Sequence, residues 1–201
     1  MSAIAMFLLG VLVTLGGVRL WDAVWGFRAQ KLDDYAIEAT DASPPPDINA
    51  LLGRRFEAHG LIFDYTGRAR SRFFAEIEGA FDGADGTLKE RFRYASGETD
   101  RREWTIRLGP DGRRFEATAP DVVGVAEGEL KGDAIRMTYR LQLPERAGGH
   151  VLDVVDWLYL MNDGAVVNRS EMRKFGFKAA ELIAVFQPVA ASAALPAVAA
   201  E

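Results

Sequence analysis

A chain of 201 residues that is 49% hydrophobic and 26% charged can bury one real core, which excludes the disordered and fibrous classes. The net charge is -5, with 24 basic residues dispersed among 29 acidic ones, so the concentrated positive footprint of a nucleic-acid binder is absent. No cysteine occurs, which excludes disulfides, thiolate metal sites, thiol nucleophiles and a lipidated N-terminal cysteine.

The first element is the run AIAMFLLGVLVTLGGV from Ala3 to Val18, uncharged and almost wholly apolar, with Arg19 and the aromatics Trp21, Trp25 and Phe27 behind it. It reads as a membrane anchor over residues 1–27, borderline in length unless Leu20 to Trp25 extend it and Arg19 snorkels. An uncleaved anchor is preferred to a signal peptide, because no Lys or Arg precedes the run and no small-x-small site follows it. Arg19, Arg28 and Lys31 favour the cytoplasm for the side that follows, whereas the expected localisation is the inner membrane with the body in the periplasm; the cytoplasmic side stays open. Residues 28–50, with Pro44, Pro45 and Pro46, read as a linker. The Ala- and Pro-rich residues 188–201 read as a disordered tail.

Between them, residues 51–187 alternate apolar and polar with period two. Ile135, Met137, Tyr139, Leu141 and Leu143 share one face of a strand, against Arg136, Thr138, Arg140 and Gln142 on the other. Ten strands are expected near 54–63, 68–79, 86–94, 101–109, 113–119, 122–130, 134–143, 149–161, 164–173 and 177–187. Six dipeptides, Asp82-Gly83, Asp85-Gly86, Ser96-Gly97, Asp111-Gly112, Gly148-Gly149 and Asp163-Gly164, supply the positive φ angles of tight hairpins. Consecutive hairpins that must bury one face and hide their edges predict an all-β, antiparallel up-and-down barrel of 8–10 strands. Gly60 and Gly128 are expected to serve its bends, and a two-sheet sandwich is the alternative.

Catalytic machinery is sparse. His59 and His150 are the only histidines, no metal-ligand or nucleotide-binding spacing occurs, and His59 reads as a wall residue. The informative anomaly is charge in phase with apolar residues. Glu90 alternates with Leu88, Phe92 and Tyr94, and Arg102 with Trp104, Ile106 and Leu108; Asp156 adjoins Trp157, and Asn168 and Arg169 adjoin Val166 and Val167. Buried charges need partners or a ligand. One reading is an internal salt-bridge network, for example Glu90 with Arg102 or Arg169. The other is that Glu90, Arg102, Trp104, Tyr139, Asp156, Trp157, Asn168 and Arg169 line a ligand site, with Asp156-Trp157 and Lys174-Phe175-Gly176 equally readable as structural corners.

The segments GETDRREW at 97–104, ATAPDVVGVAEG at 117–128, VVDWLYL at 154–160 and VNRSEMRKFGF at 167–177 together resemble a bacterial family, domain of unknown function 3833. The resemblance spans about residues 51–187 and implies a lipocalin-like barrel in envelope lipoprotein-like proteins. This chain departs from that pattern in lacking the cysteine a lipid would need, so the apolar segment would replace it. The functional expectation is a membrane-tethered barrel that binds a small apolar or amphipathic ligand such as a lipid. The alternatives are an enzyme acting on such a molecule through Glu90 or Asp156, and a structural envelope protein with a filled barrel. The expected partners are the membrane and that ligand, with no nucleic acid, no cofactor and no metal; the oligomeric state is not legible.

Overall fold

The computed structural model describes residues 3–25, 27, 30–32 and 47–189. The residues read as the proline-rich part of the linker and as most of the tail, 33–46 and 190–201, lie outside them, as do the side chains of Arg19, Trp21 and Trp25.

Helix α1 covers Ala3–Trp25, and the short helix α2 covers Ile48–Leu52. Ten strands follow: β1 (Arg55–Asp64), β2 (Ala69–Asp82), β3 (Asp85–Tyr94), β4 (Thr99–Leu108), β5 (Arg114–Thr118), β6 (Ala126–Lys131), β7 (Ala134–Gln142), β8 (Val151–Leu160), β9 (Val166–Lys174) and β10 (Phe177–Pro188). Each pairs antiparallel with the next, and β10 pairs with β1 from Phe56↔Pro188 to Asp64↔Ala180, which closes the barrel and leaves no sheet edge. The sandwich alternative is thereby removed.

The alternation that marks the strands also sets the two faces. Phe56, Phe73, Ile77, Leu88, Trp104, Ile106, Phe115, Leu130, Ile135 and Phe186 point inward and form the main core. Five of the six expected turn dipeptides hold glycine at a positive φ: Gly83, Gly97, Gly112, Gly164, and both Gly148 and Gly149. Gly86 is different; it lies within β3, where a Cβ would stand 2.3 Å from the Phe81 ring. Gly60 and Gly128 likewise make room for rings, because a Cβ would lie 2.3 Å from Phe73 and 2.0 Å from Phe115 respectively. Close ring packing, more than strand bending, accounts for them.

Two features stand apart from the expected strand pattern. Residues 47–52 form α2, N-capped by the Asp47 carboxylate, which accepts from the Asn49 amide at 2.9 Å. Ile48, Leu51 and Leu52 are buried against the barrel core, so α2 plugs the end that carries the β2–β3, β4–β5, β6–β7 and β8–β9 turns. The strand expected at 122–130 begins only at Ala126. The residues before it fold over the opposite end, where Val122 bridges Leu141 and the Val123 amide donates to the Arg140 carbonyl.

Candidate ligand-binding lumen

Apolar side chains line the interior from end to end. On the α2 side Phe56, Ile77, Leu88, Trp104, Ile106 and Leu130 are buried, and Phe81, Leu108, Leu158 and Leu160 are partly buried. Toward the opposite end Phe73, Leu141 and Val154 are buried, whereas Ile62, Phe92, Met172 and Leu182 keep part of their surface accessible. That end, ringed by the β1–β2, β3–β4, β5–β6, β7–β8 and β9–β10 connections, is the mouth.

Polar side chains from five elements meet between the halves. Glu90 on β3 and Arg102 on β4 are register partners, and Arg102 Nη1 lies 3.8 Å from Glu90 Oε2. Arg102 also clasps Asp121, its Nε donating to both carboxylate oxygens at 3.0 Å and its Nη2 to Oδ2 at 2.6 Å. The guanidinium stands 5.5 Å over the Trp104 ring, which meets Tyr139 edge-on at 5.3 Å. Across the lumen, the Asp156 carboxylate accepts from Tyr139 Oη at 3.2 Å, from Asn168 Nδ2 at 2.6 Å and from Ser170 Oγ. Asn168 Nδ2 also donates to the Trp157 carbonyl at 3.0 Å.

These surroundings set the charge states. Burial pushes Glu90 up to about 7, against the opposing pull of Arg102 and with a further push from Asp156. Burial also raises Asp156, although the Ser170, Asn168 and Tyr139 donors pull the other way. The Tyr139 hydroxyl is held well above its ordinary value by burial and by Asp156 beside it, so it remains a donor. Desolvation of Arg102 is outweighed by the Glu90 and Asp121 carboxylates beside it, which keep it charged. Glu90 Oε2 is buried without a hydrogen-bond partner.

Six of the eight residues expected at the site therefore converge: Glu90, Arg102, Trp104, Tyr139, Asp156 and Asn168. Trp157 and Arg169 do not. They are register partners on the outer face of β8 and β9, because each is one residue out of phase with inward Asp156 and Asn168. Trp157 is fully buried outside the barrel, beneath Leu32 and stacked on Tyr159 at 5.7 Å. Arg169 ion-pairs with Glu181 at 2.8 Å, not with Glu90, and lies 4.5 Å over the Phe27 ring. Sequence reasoning missed Asp121 and Ser170. Asp121 sits between the strands expected at 113–119 and 122–130, in a connection where no polar partner was sought; Ser170 could have been found from its two-residue spacing to Asn168. His59 lies on the outer wall, edge-on to Phe74 at 5.2 Å. Among the described residues no group of three or more His, Cys, Asp and Glu could hold a metal ion.

A family model described as "Protein of unknown function (DUF3833)" matches residues 22–188. The chain belongs to this family. The DUF3833 barrel is closed, ten-stranded and lipocalin-like. No curated protein matches it. Among solved structures, the S-type phycobiliprotein lyase of Guillardia theta is similar at 5% identity and a TM-score of 0.48, over 69% of this chain and 88% of the lyase. A de novo designed fluorescence-activating β-barrel is similar at 13% identity and a TM-score of 0.33, over 72% of this chain and 99% of the design. These are likenesses of form and say nothing about the contents of this lumen.

Proposed function

We propose that this protein is a membrane-tethered binding module whose lumen takes one small amphipathic molecule, lipid-like in its apolar part. The observation that carries the reading is the buried polar cluster inside the barrel, with the partly accessible apolar side chains Ile62, Phe92, Met172 and Leu182 beside it toward the mouth. Met172, Leu182 and Phe92 would receive the apolar part, and Met side chains adapt readily to irregular ligands. The polar part would meet Glu90 and Asp156. Arg102, the cation of the cluster, is already occupied by Asp121, and Glu90 Oε2 lacks a donor. An uncharged, hydrogen-bond-donating head, such as a hydroxyl, suits this environment better than a carboxylate or phosphate.

The tether is α1. Its 23 residues rise about 35 Å, enough for a hydrocarbon core of about 30 Å. Ile4, Met6, Phe7, Leu12, Val13 and Leu20 are exposed around the whole helix, and only Arg19 and Asp22 within it carry charge. Among the described residues no helix is long and apolar enough to cross a membrane; the sequence of Ala3–Trp25 adds the apolar Leu8, Leu9 and Leu15 to the segment.

A second reading draws on Glu90, whose pKa of about 7 suits a general acid or base acting on the same lipid-like molecule. Native mass spectrometry of the full chain, released from detergent after purification from cells, tests both. A retained small molecule of constant mass supports binding. Its conversion on incubation, lost in Glu90→Gln, would favour the enzyme. A barrel that arrives empty and takes up no monoacylglycerol would contradict both readings and favour a filled structural barrel.

A further inference from the structure

The outer wall carries a second feature, independent of the lumen. Outside α1, six of the nine large apolar side chains exposed among the described residues gather on one seam; Val125, Val151 and Val189 lie apart from it. Leu61 and Tyr65 come from β1 and its following turn, Phe175 from the β9–β10 connection, and Phe177, Ile183 and Val185 from β10. Because β1 pairs with β10, with Leu61 opposite Ile183, these residues form one continuous face that ends at the mouth. A cavity of about 680 Å³ runs along it, lined by His59, Leu61, Phe74, Ile183 and Val185, with Arg72 and Arg93 on its edge.

The aromatic end is the most exposed part. Tyr65 is 72% exposed and Phe175 79%. Phe175 also adopts a φ of 53°, a left-handed conformation that is costly for a bulky side chain and comfortable for glycine.

The charge beside this face is mostly basic. Asp64 ion-pairs with Arg70 at 2.7 Å, and Glu181 is held by Arg169 and Lys178, which leaves these two carboxylates only 15% and 14% exposed. Arg68, Arg72 and Arg93 are exposed, and Lys174 lies 5.4 Å from the Phe175 ring. On the next turn Glu98 and Asp100 face Arg146. A chain with a net charge of -5 thus presents a basic, aromatic margin at the mouth. Aromatic side chains at head-group depth with flanking cations are the composition of a membrane interface, and the cations complement anionic lipid.

We propose that the β10–β1 seam and the mouth rim rest on an anionic lipid surface, with Tyr65, Phe175 and Phe177 at head-group depth, so that the mouth opens against the bilayer. This orientation rests on the outer wall alone and stands whether or not the lumen holds a ligand.

The absence of cysteine makes the test direct. The full chain carrying Phe175→Cys is labelled with a nitroxide in phosphatidylcholine nanodiscs with and without phosphatidylglycerol. Accessibility to oxygen and to a water-soluble nickel complex is then compared with Ala84→Cys, on the β2–β3 turn at the plugged end. The expected result is a several-fold loss of nickel accessibility at position 175, strongest with phosphatidylglycerol and weakened by Arg68→Glu with Arg72→Glu, while position 84 stays water-exposed. Tyr65→Cys provides the same reading should Phe175→Cys not fold. Equal nickel accessibility at both ends in anionic nanodiscs overturns the proposal. So does protection that persists in detergent without lipid, which would mean coverage by another part of the chain, and so does label-to-label broadening, which would mean a second copy.

Discussion

Glu90 carries the clearest consequence of burial in this molecule. Its pKa rises from 4.5 in the unfolded chain to about 7 in the barrel, so between those values the folded state holds a proton that the unfolded state has released. Stability must therefore fall as pH rises through that window, by about 3 kcal/mol for the 2.5 units. Asp156, also raised, adds in the same direction. Thermal unfolding across pH should show Glu90→Gln melting above the wild type beyond pH 7, with the gap closing below the unfolded value. An unchanged gap at every pH would mean that Glu90 is not desolvated. Asp156→Ala acts differently, because it removes the acceptor shared by Tyr139, Asn168 and Ser170. Stranding those donors should cost at least about 2 kcal/mol in urea unfolding.

Helix α2 shows how one backbone contact fixes an element. A Cβ at Gly79 would stand 1.8 Å from the Leu52 carbonyl oxygen, and the Gly79 amide donates to the Arg54 carbonyl at 3.0 Å. Gly79→Ala must push α2 off the barrel end, with a cost of about 1–3 kcal/mol. Hydrogen exchange should then accelerate at residues 48–54 and leave β6 to β9 unchanged. The strands themselves were legible because period-two alternation and Gly-containing turns are local signals, as in Ile135 to Leu143 and at Asp163-Gly164. The plug was not, since INALL spans barely one turn and its burial depends on Gly79, distant in sequence. Phase explains the mixed outcome at the lumen. Glu90 and Arg102 stand in clean alternation with apolar neighbours, whereas on β8 the outward Val155 and Trp157 are as buried as the inward Val154, and on β9 polar residues occupy both faces, so Trp157 and Arg169 could not be told from Asp156 and Asn168. Leu32, packed over Trp157 outside the barrel, buries that part of the outer wall.

The whole molecule combines an apolar helix, a barrel closed at one end and a mouth bordered by aromatic and basic side chains. If α1 is the tether, Leu12→Lys with Val13→Lys should shift the full chain from the membrane to the soluble fraction on cell fractionation, because two charges at the centre of a span cost about 5 kcal/mol or more. A ligand-binding lumen makes the stronger demand, since it requires a ligand to come within reach of Trp104. Titration of the full chain in detergent with a brominated monoacylglycerol, read by tryptophan fluorescence, is the most direct measurement. Saturable quenching at one molecule per barrel that disappears in Trp104→Phe is the predicted result. Quenching that survives Trp104→Phe, or never saturates, would place the molecule elsewhere and contradict a ligand-binding lumen.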